Sequence, residues 1–197
     1  SPPLPHSKVT AIKACGYTIV NKIILRYKEP LVSKHYSEIR LLWKKSDEQW
    51  PLVHTHPWIR GVHVIEHWPK SPSITSDYYI VWLVDEDAEA IESVPNDDVK
   101  IAITLLLEKF LAKPLPDLLD VRISKWTSSY TCGSYSYNPV HCPLSVRDDL
   151  SSPLDGVAPL EILFAGEATS CDQYSTTHAA YDTGIREADR LIKYYRH

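Results

Sequence analysis

The chain has 197 residues, 44% hydrophobic and 23% charged, with a formal net charge of −4 from 21 basic and 25 acidic side chains. This composition predicts a soluble globular protein of one large or two small domains. It offers no electrostatic case for binding nucleic acid or an anionic membrane, and no apolar run approaches the length of a spanning helix.

Residues 1–8 contain three prolines and no periodicity, which reads as an extended connector. Lys8 to Cys15 has helical composition, with Gly16 as its cap. Val20 to Tyr27 is rich in β-branched residues and predicts a strand, with Lys22 near its start. Ile39 to Trp43 predicts a second strand. His54, His56, His63 and His67 follow. They could be drawn as a zinc site, but Pro57, Trp68 and Pro69 break any helix that would align His63 with His67, and in a strand the two lie far apart. The reading is a polar surface stretch and no metal site.

Tyr79 to Val84 is the most hydrophobic run and predicts a central buried strand. Asn96-Asp97-Asp98 reads as the cap of a helix running to about Ala112, with Val99, Ala102, Ile103, Leu106, Leu107 and Phe110 on its apolar face. Pro114 and Pro116 end it. Leu118 to Trp126 reads as a return strand. Gly133 to Tyr137 is a tyrosine-rich turn, and 139–159, with four prolines, an irregular surface connection. The cysteines, Cys15, Cys132, Cys142 and Cys171, show no CxxC spacing, so free thiols are the default and a Cys132–Cys142 pair stays open.

The closing stretch, Gly166 to Arg190, carries most of the chemistry. Ile162 to Ala165 reads as a short buried strand ending at Gly166. Thr177 to Tyr195 reads as a helix with Thr177, Tyr181, Gly184/Ile185, Ala188, Leu191/Ile192 and Tyr195 on one face. A hydroxyl-capped helix start after a glycine turn presents free N–H groups and a positive dipole end, which suits an anion or an electron-rich ring.

Glu167, Tyr174-Ser175-Thr176-Thr177-His178 and Gly184-x-Arg186 together resemble the C-terminal flavin-contacting signature of FAD-dependent amine oxidases, in the spermine oxidase and N1-acetylpolyamine oxidase branch. Monoamine oxidases and histone-lysine demethylases share the architecture but differ at the hydroxyl cluster. Asn21-Lys22-Ile23-Ile24-Leu25, Lys125-Trp126 and Gly133-Ser134-Tyr135-Ser136-Tyr137 also match the family pattern. The resemblance implies an α+β or α/β fold. Residues 1–116 would belong to a mixed-sheet substrate domain, and 117–197 to the returning FAD-binding part with its last strand and helix.

It further implies FAD as cofactor and oxidation of a polyamine to an imine or aldehyde product, with oxygen reduced to hydrogen peroxide. Lys22 would be catalytic, holding a water against flavin N5. Trp126, Gly166, Glu167, Ala168, Ser175, Thr176 and Thr177 would contact the cofactor, with Glu167 and the Gly166 backbone serving the ribityl hydroxyls. Ser134, Tyr135 and Thr177 would line the substrate tunnel.

Departures are Asp85 and Ala179, where the family has glycine. They keep open a non-catalytic binding or scaffold module. No Gly-rich dinucleotide fingerprint is present. In the family, a PPLP stretch lies deep inside a chain more than twice as long. The expectation is therefore a C-terminal segment, or a processed or split chain, that partners with the N-terminal part of the same fold and is inactive alone. The terminal residues are no peroxisomal tripeptide, which favours the cytoplasm or nucleus.

Overall fold

The computed structural model describes residues 3–143, 145–155 and 159–196. In chain order the elements are α1 (His6–Ala14), β1 (Gly16–Thr18), β2 (Val20–Tyr27), β3 (Glu38–Arg40), α2 (Pro51–Thr55), β4 (Val64–Trp68), β5 (Asp77–Val84), α3 (Asp85–Ile91), α4 (Asn96–Leu111), β6 (Leu118–Ile123), β7 (Tyr135–Tyr137), α5 (Val146–Ser151) and α6 (Thr177–Tyr195). Single 3-10 turns occur at Lys45–Gln49, Pro57–Gly61 and Glu167–Thr169. The elements fall into two compact units, Ile19–Ser134 and Ser1–Thr18 with Tyr135–His197. The sequence drew its boundary near residue 116. No helix among the described residues is long and apolar enough to cross a membrane.

The Ile19–Ser134 unit is built on an antiparallel sheet in the order β3-β4-β5-β2-β6. Alternate side chains of a strand face opposite sides. Ile23, Leu25 and Tyr27 of β2 and Tyr79, Val81 and Leu83 of β5 therefore enter one core, each 1% exposed or less. α3 and α4 close that core with Ala88, Ile91, Val99, Ala102, Ile103, Leu106 and Leu107. Tyr27 meets Tyr79 edge-on, and the Tyr79 hydroxyl accepts the Leu31 N–H at 2.8 Å. Burial pushes both phenols upward from their ordinary pKa.

Three expectations are corrected in this unit, and one element, α3, is new. His67 is buried rather than part of a surface stretch. Its ring stacks on Tyr79 at 4.5 Å, and its nitrogens lie 3.2 Å from Asp77 Oδ1 and 2.8 Å from the Tyr36 carbonyl. The alternation of β4 turns Ile65 and His67 inward together. α4 carries no side-chain cap. Pro95 precedes it, and Asp97 and Asp98 favour the dipole from within the first turn. β6 stops at Ile123, so Lys125 and Trp126 lie beyond it. α3 was not anticipated. It begins at Asp85 with φ +50, the left-handed region that glycine reaches without strain, so the family's glycine there has a backbone reason.

In the other unit, α1 packs on α5. Lys8 is buried and donates to the last carbonyls of α5, Asp149 O at 2.8 Å and Leu150 O at 2.7 Å. Its ammonium lies 3.9 Å from the Phe164 ring centroid. Burial lowers its pKa, against the fields of Asp149 and Glu187. Gly16 does not cap α1. It opens β1, opposite Tyr137 of β7, and a Cβ there would sit 2.4 Å from the Tyr137 ring, so the glycine permits the close pairing.

The stretch 139–159 is not wholly irregular, because α5 forms within it. Ile162–Ala165 makes only a single bridge, Leu154 to Ile162, with no strand beside it among the described residues. α6 also corrects its expected face. Ala179, Thr183 and Glu187 are buried, whereas Tyr181, Ile185 and Ile192 are exposed, Tyr181 at 70%. All four cysteines carry free thiols.

Candidate cofactor and substrate site

The turn from Gly166 to Thr177 is a closed hydrogen-bonded device. Gly166 sits at φ +142, and no atom lies within 4 Å of where its Cβ would be. Its N–H donates to Thr183 Oγ1 at 2.9 Å, which ties the turn to α6. Glu167 Oε1 accepts from Ser136 N–H at 2.9 Å. Its Oε2 accepts from Ser136 Oγ at 2.8 Å and from Ser175 N–H at 2.6 Å. A carboxylate has about four acceptor positions. Three are used by the protein, so the carboxylate that the resemblance assigns to ribityl hydroxyls is first of all a clamp between β7 and the start of α6.

Ser175 stands at φ +65, and its hydroxyl donates to the Ser136 carbonyl. Thr176 is the N-cap of α6. Its Oγ1 accepts from Ala179 N–H at 3.3 Å and donates to Gln173 O at 2.5 Å. Thr177 is the first, exposed residue of the helix. First-turn N–H groups have no intrahelical acceptor, so a 19-residue helix presents its positive end here. Ala179, the departure from glycine, is buried at 1% in the same turn.

Arg147 is the residue that sequence reading missed. It is 2% exposed, and its guanidinium donates to Asn138 Oδ1 (3.0 and 2.7 Å), Ser136 Oγ (3.0 Å) and the Ala168 carbonyl (3.0 Å). The Tyr174 ring centroid lies 3.6 Å from its Cζ. Arg147 thus holds Ser136, Ala168 and Tyr174, three of the segments that set Glu167 and Ser175. A lone arginine among serines and aspartates carries no signal of such a role.

Lys22, Ser134 and Trp126 belong to the Ile19–Ser134 unit. Lys22 is half-buried on the sheet face opposite the core, its Nζ 4.3 Å from the ring centroid of Trp82, the residue paired with it across β5. Its N–H donates to Ser124 Oγ at 2.8 Å, and Ser124 Oγ donates to Asn21 Oδ1 at 2.9 Å. Buried Asn21 then donates to Ala88 O and to Glu92 Oε1, both at 2.7 Å. Glu92 also accepts the Trp126 N–H at 2.7 Å and the Thr127 hydroxyl.

Desolvation alone would raise the Glu92 carboxyl. The bonds from Thr127, Asn21 and Trp126 outweigh it and hold the pKa below the usual value. One network therefore anchors both Lys22 and Trp126, and Asn21, Ser124 and Glu92 are its unforeseen members. The Trp126 side chain itself is 41% exposed. Ser134 Oγ accepts the Val20 N–H at 2.7 Å. Tyr135 pairs with Thr18 in the other unit, and burial raises its phenol.

The donor set fits one end of a flavin. The open space before Gly166 admits a ring or ribityl chain against the backbone, and the α6 terminus favours a negative pyrimidine edge. No glycine-rich loop in the chain matches a diphosphate.

Residues 1–192 match the family described as flavin containing amine oxidoreductase. The chain is 37% identical over 199 residues to the peroxisomal N(1)-acetyl-spermine/spermidine oxidase of Bos taurus, covering 97% of this chain and 38% of that protein. It is also 37% identical, over 205 residues, to the protein of the same description from Homo sapiens, with the same coverage. A putrescine oxidase bound to putrescine superposes with a TM-score of 0.64 at 17% identity, over 98% of this chain and 39% of that one, which supports the mixed α/β fold. The chain thus spans well under half the length of these relatives. With the match running through both compact units, the chain belongs to the flavin-containing amine oxidoreductase family.

Proposed function

We propose that the protein oxidises aliphatic polyamines with FAD, in company with the remainder of the family fold. The observation that carries this reading is the Gly166–Thr177 turn. A glycine with open space before it, a carboxylate clamp and a hydroxyl-capped 19-residue helix meet in one local device. When bound, the flavin supplies the two-electron acceptor. The chain's own residues supply position and electrostatics.

The α6 terminus and its cap at Thr176 would stabilise negative charge near the pyrimidine edge, and Ser175, Thr177 and the backbone of Gly166 and Ala168 would orient it. The spare acceptor capacity of Glu167 would serve a ribityl hydroxyl. Lys22 would hold a water and pass its proton. By the resemblance, Trp126, Ser134 and Tyr135 would each contribute to the lining of the substrate tunnel. In this reading Ile19–Ser134 belongs to the substrate domain, and the other unit to the returning FAD-binding part.

The partner is the rest of the family chain. Two features support it: coverage of only 38% of the relatives, and the exposed apolar face of α6. The peroxisomal names of two relatives give no support to a cytoplasmic or nuclear site.

Anaerobic addition of spermine or an N-acetylated polyamine to the FAD-loaded protein, assembled with the remainder of the family fold, tests the reading. Bleaching of the flavin absorbance is expected, with at least a tenfold slower rate in Lys22→Met. No bleaching in wild type with any polyamine selects a second reading, a non-catalytic binding module. Asp85 at φ +50 and buried Ala179, both at family glycine positions, favour that alternative.

A further inference from the structure

The sheet of the Ile19–Ser134 unit carries a basic hollow on the face opposite its core. It has a volume of about 340 Å³ and is lined by Ile24 and Arg26 of β2, Tyr78 of β5, and Asp120 and Arg122 of β6. Strand pairing brings these side chains together. Arg26 lies between Tyr78 and Asp120, its partners on β5 and β6, and Ile24 lies opposite Arg122. Alternation turns all five away from Leu25, Tyr79 and Val121, which enter the core. Lys22 is four residues from Arg26 on the same strand, about 13 Å at the rise of an extended chain, so the hollow stands apart from the lysine.

Donors outnumber acceptors in this hollow. Arg26 is half-buried, and its Nε is closed off from solvent with no hydrogen-bond partner among the described residues. An enclosed donor left without an acceptor is costly. Asp120 faces Arg26 directly across the ladder, but its Oδ2 accepts from Arg122 Nε at 3.1 Å instead. Glu66, the carboxylate of β4 on this face, is engaged by the Trp68 indole N–H at 3.2 Å. The Tyr78 hydroxyl adds a further donor to the lining.

Two guanidiniums against one carboxylate leave one net positive charge in the lining. That balance suits a monoanion. A dianion would over-neutralise the hollow and meet Asp120. The guanidinium is a planar fork that matches the two oxygens of a carboxylate. Ile24 supplies an apolar wall for a short carbon chain, and Arg122, whose side chain is 79% exposed, stands at the rim.

We propose that this hollow is a binding site for a small organic carboxylate, held by the Arg26 guanidinium with its carbon chain against Ile24. The ligand is an anion, so the site does not depend on the amine-oxidase reading and adds a second class of ligand to this protein.

The test is a titration of the 197-residue chain with sodium butanoate at constant ionic strength, followed on the side-chain Nε–H resonance of Arg26. A saturable downfield shift is expected, as the unpartnered N–H gains a carboxylate acceptor. Arg26→Gln, read on the Tyr78 ring resonances, should weaken binding about tenfold, for loss of a charge-assisted contact. Arg26→Lys keeps the charge without the fork and should recover only part of that loss. Arg122→Gln should weaken binding about threefold, because an exposed pair contributes less. Asp120→Asn removes the competing carboxylate and should tighten binding about threefold, which a folding defect would not do.

No saturable shift, an undiminished titration in Arg26→Gln, or affinity that is not raised in Asp120→Asn overturns the site. So does displacement of butanoate by 1-aminobutane, which would give the hollow the opposite charge preference. Inorganic phosphate binding more tightly than butanoate overturns the carboxylate assignment. A shift that follows protein concentration alone would mark an acidic side chain of a second copy on this face and overturns the small-ligand site as well.

Discussion

Glu92 joins three segments that are distant in sequence, β2 through Asn21, α3 through its own backbone, and the loop carrying Trp126 and Thr127. Its folded pKa lies below the ordinary value, so its contribution to stability is present above the unfolded pKa and is lost as pH falls through the folded one. Glu92→Gln should therefore lower the unfolding midpoint at pH 7 by the equivalent of under about 1 kcal/mol, because the half-exposed carboxylate is screened by solvent. The gap between variant and wild type should close as the pH falls below about 4. A gap independent of pH would mean that the carboxylate charge plays no part. Lys22 was legible from the pattern Asn21-Lys22-Ile23-Ile24-Leu25, which is local. The bonds that hold it were not, because Ser124 and Glu92 lie 102 and 71 positions from their partners on β2. Arg147 was equally illegible, since its burial depends on Asn138, Ser136 and Ala168 arriving around it.

Among the elements, α4 ends on Ala112 in the left-handed conformation, φ +50 and ψ +38. Helices commonly end on a left-handed glycine, which pays no Cβ penalty. Ala112→Gly should raise stability by about 1 kcal/mol in thermal unfolding, and a loss would show that the alanine methyl is used. On the inner face of the same helix Leu106 is fully enclosed, so Leu106→Ala should cost about 2–5 kcal/mol. Elements with strong periodicity were readable: β2 and β5 by alternation, α4 by its apolar face. α3 was not, because Asp85–Ile91 is a seven-residue helix with three acidic residues at its start and little pattern. The Ile162–Ala165 run has strand composition but only the Leu154 bridge, and composition supplies no neighbouring strand.

For the whole molecule, α6 is the informative helix, since its apolar residues face outward and Thr183, Glu187 and Arg186 are turned in. In the proposed assembly the rest of the family fold covers that face. Ile185→Asp should then change the unfolding midpoint of the 197-residue chain by the equivalent of under ~0.5 kcal/mol, as for a surface site. It should weaken flavin retention when the remaining part of the fold is present. The 197-residue chain alone should purify without flavin absorbance, because no residue set in it matches a diphosphate, and retained yellow protein would contradict this.

Order along the chain was enough to establish the family, the mixed α/β class, the position of the glycine turn and the hydroxyl cap of α6. Each is a local pattern, written in residues a few positions apart. Long-range contact decided the rest: that Glu167 clamps β7 to α6, that a buried arginine holds the turn, that one network anchors Lys22 and Trp126, and which face of α6 is enclosed. These depend on groups made neighbours by the sheet and by helix packing, and amphipathic periodicity records that a helix has two faces without recording which one its own chain will bury.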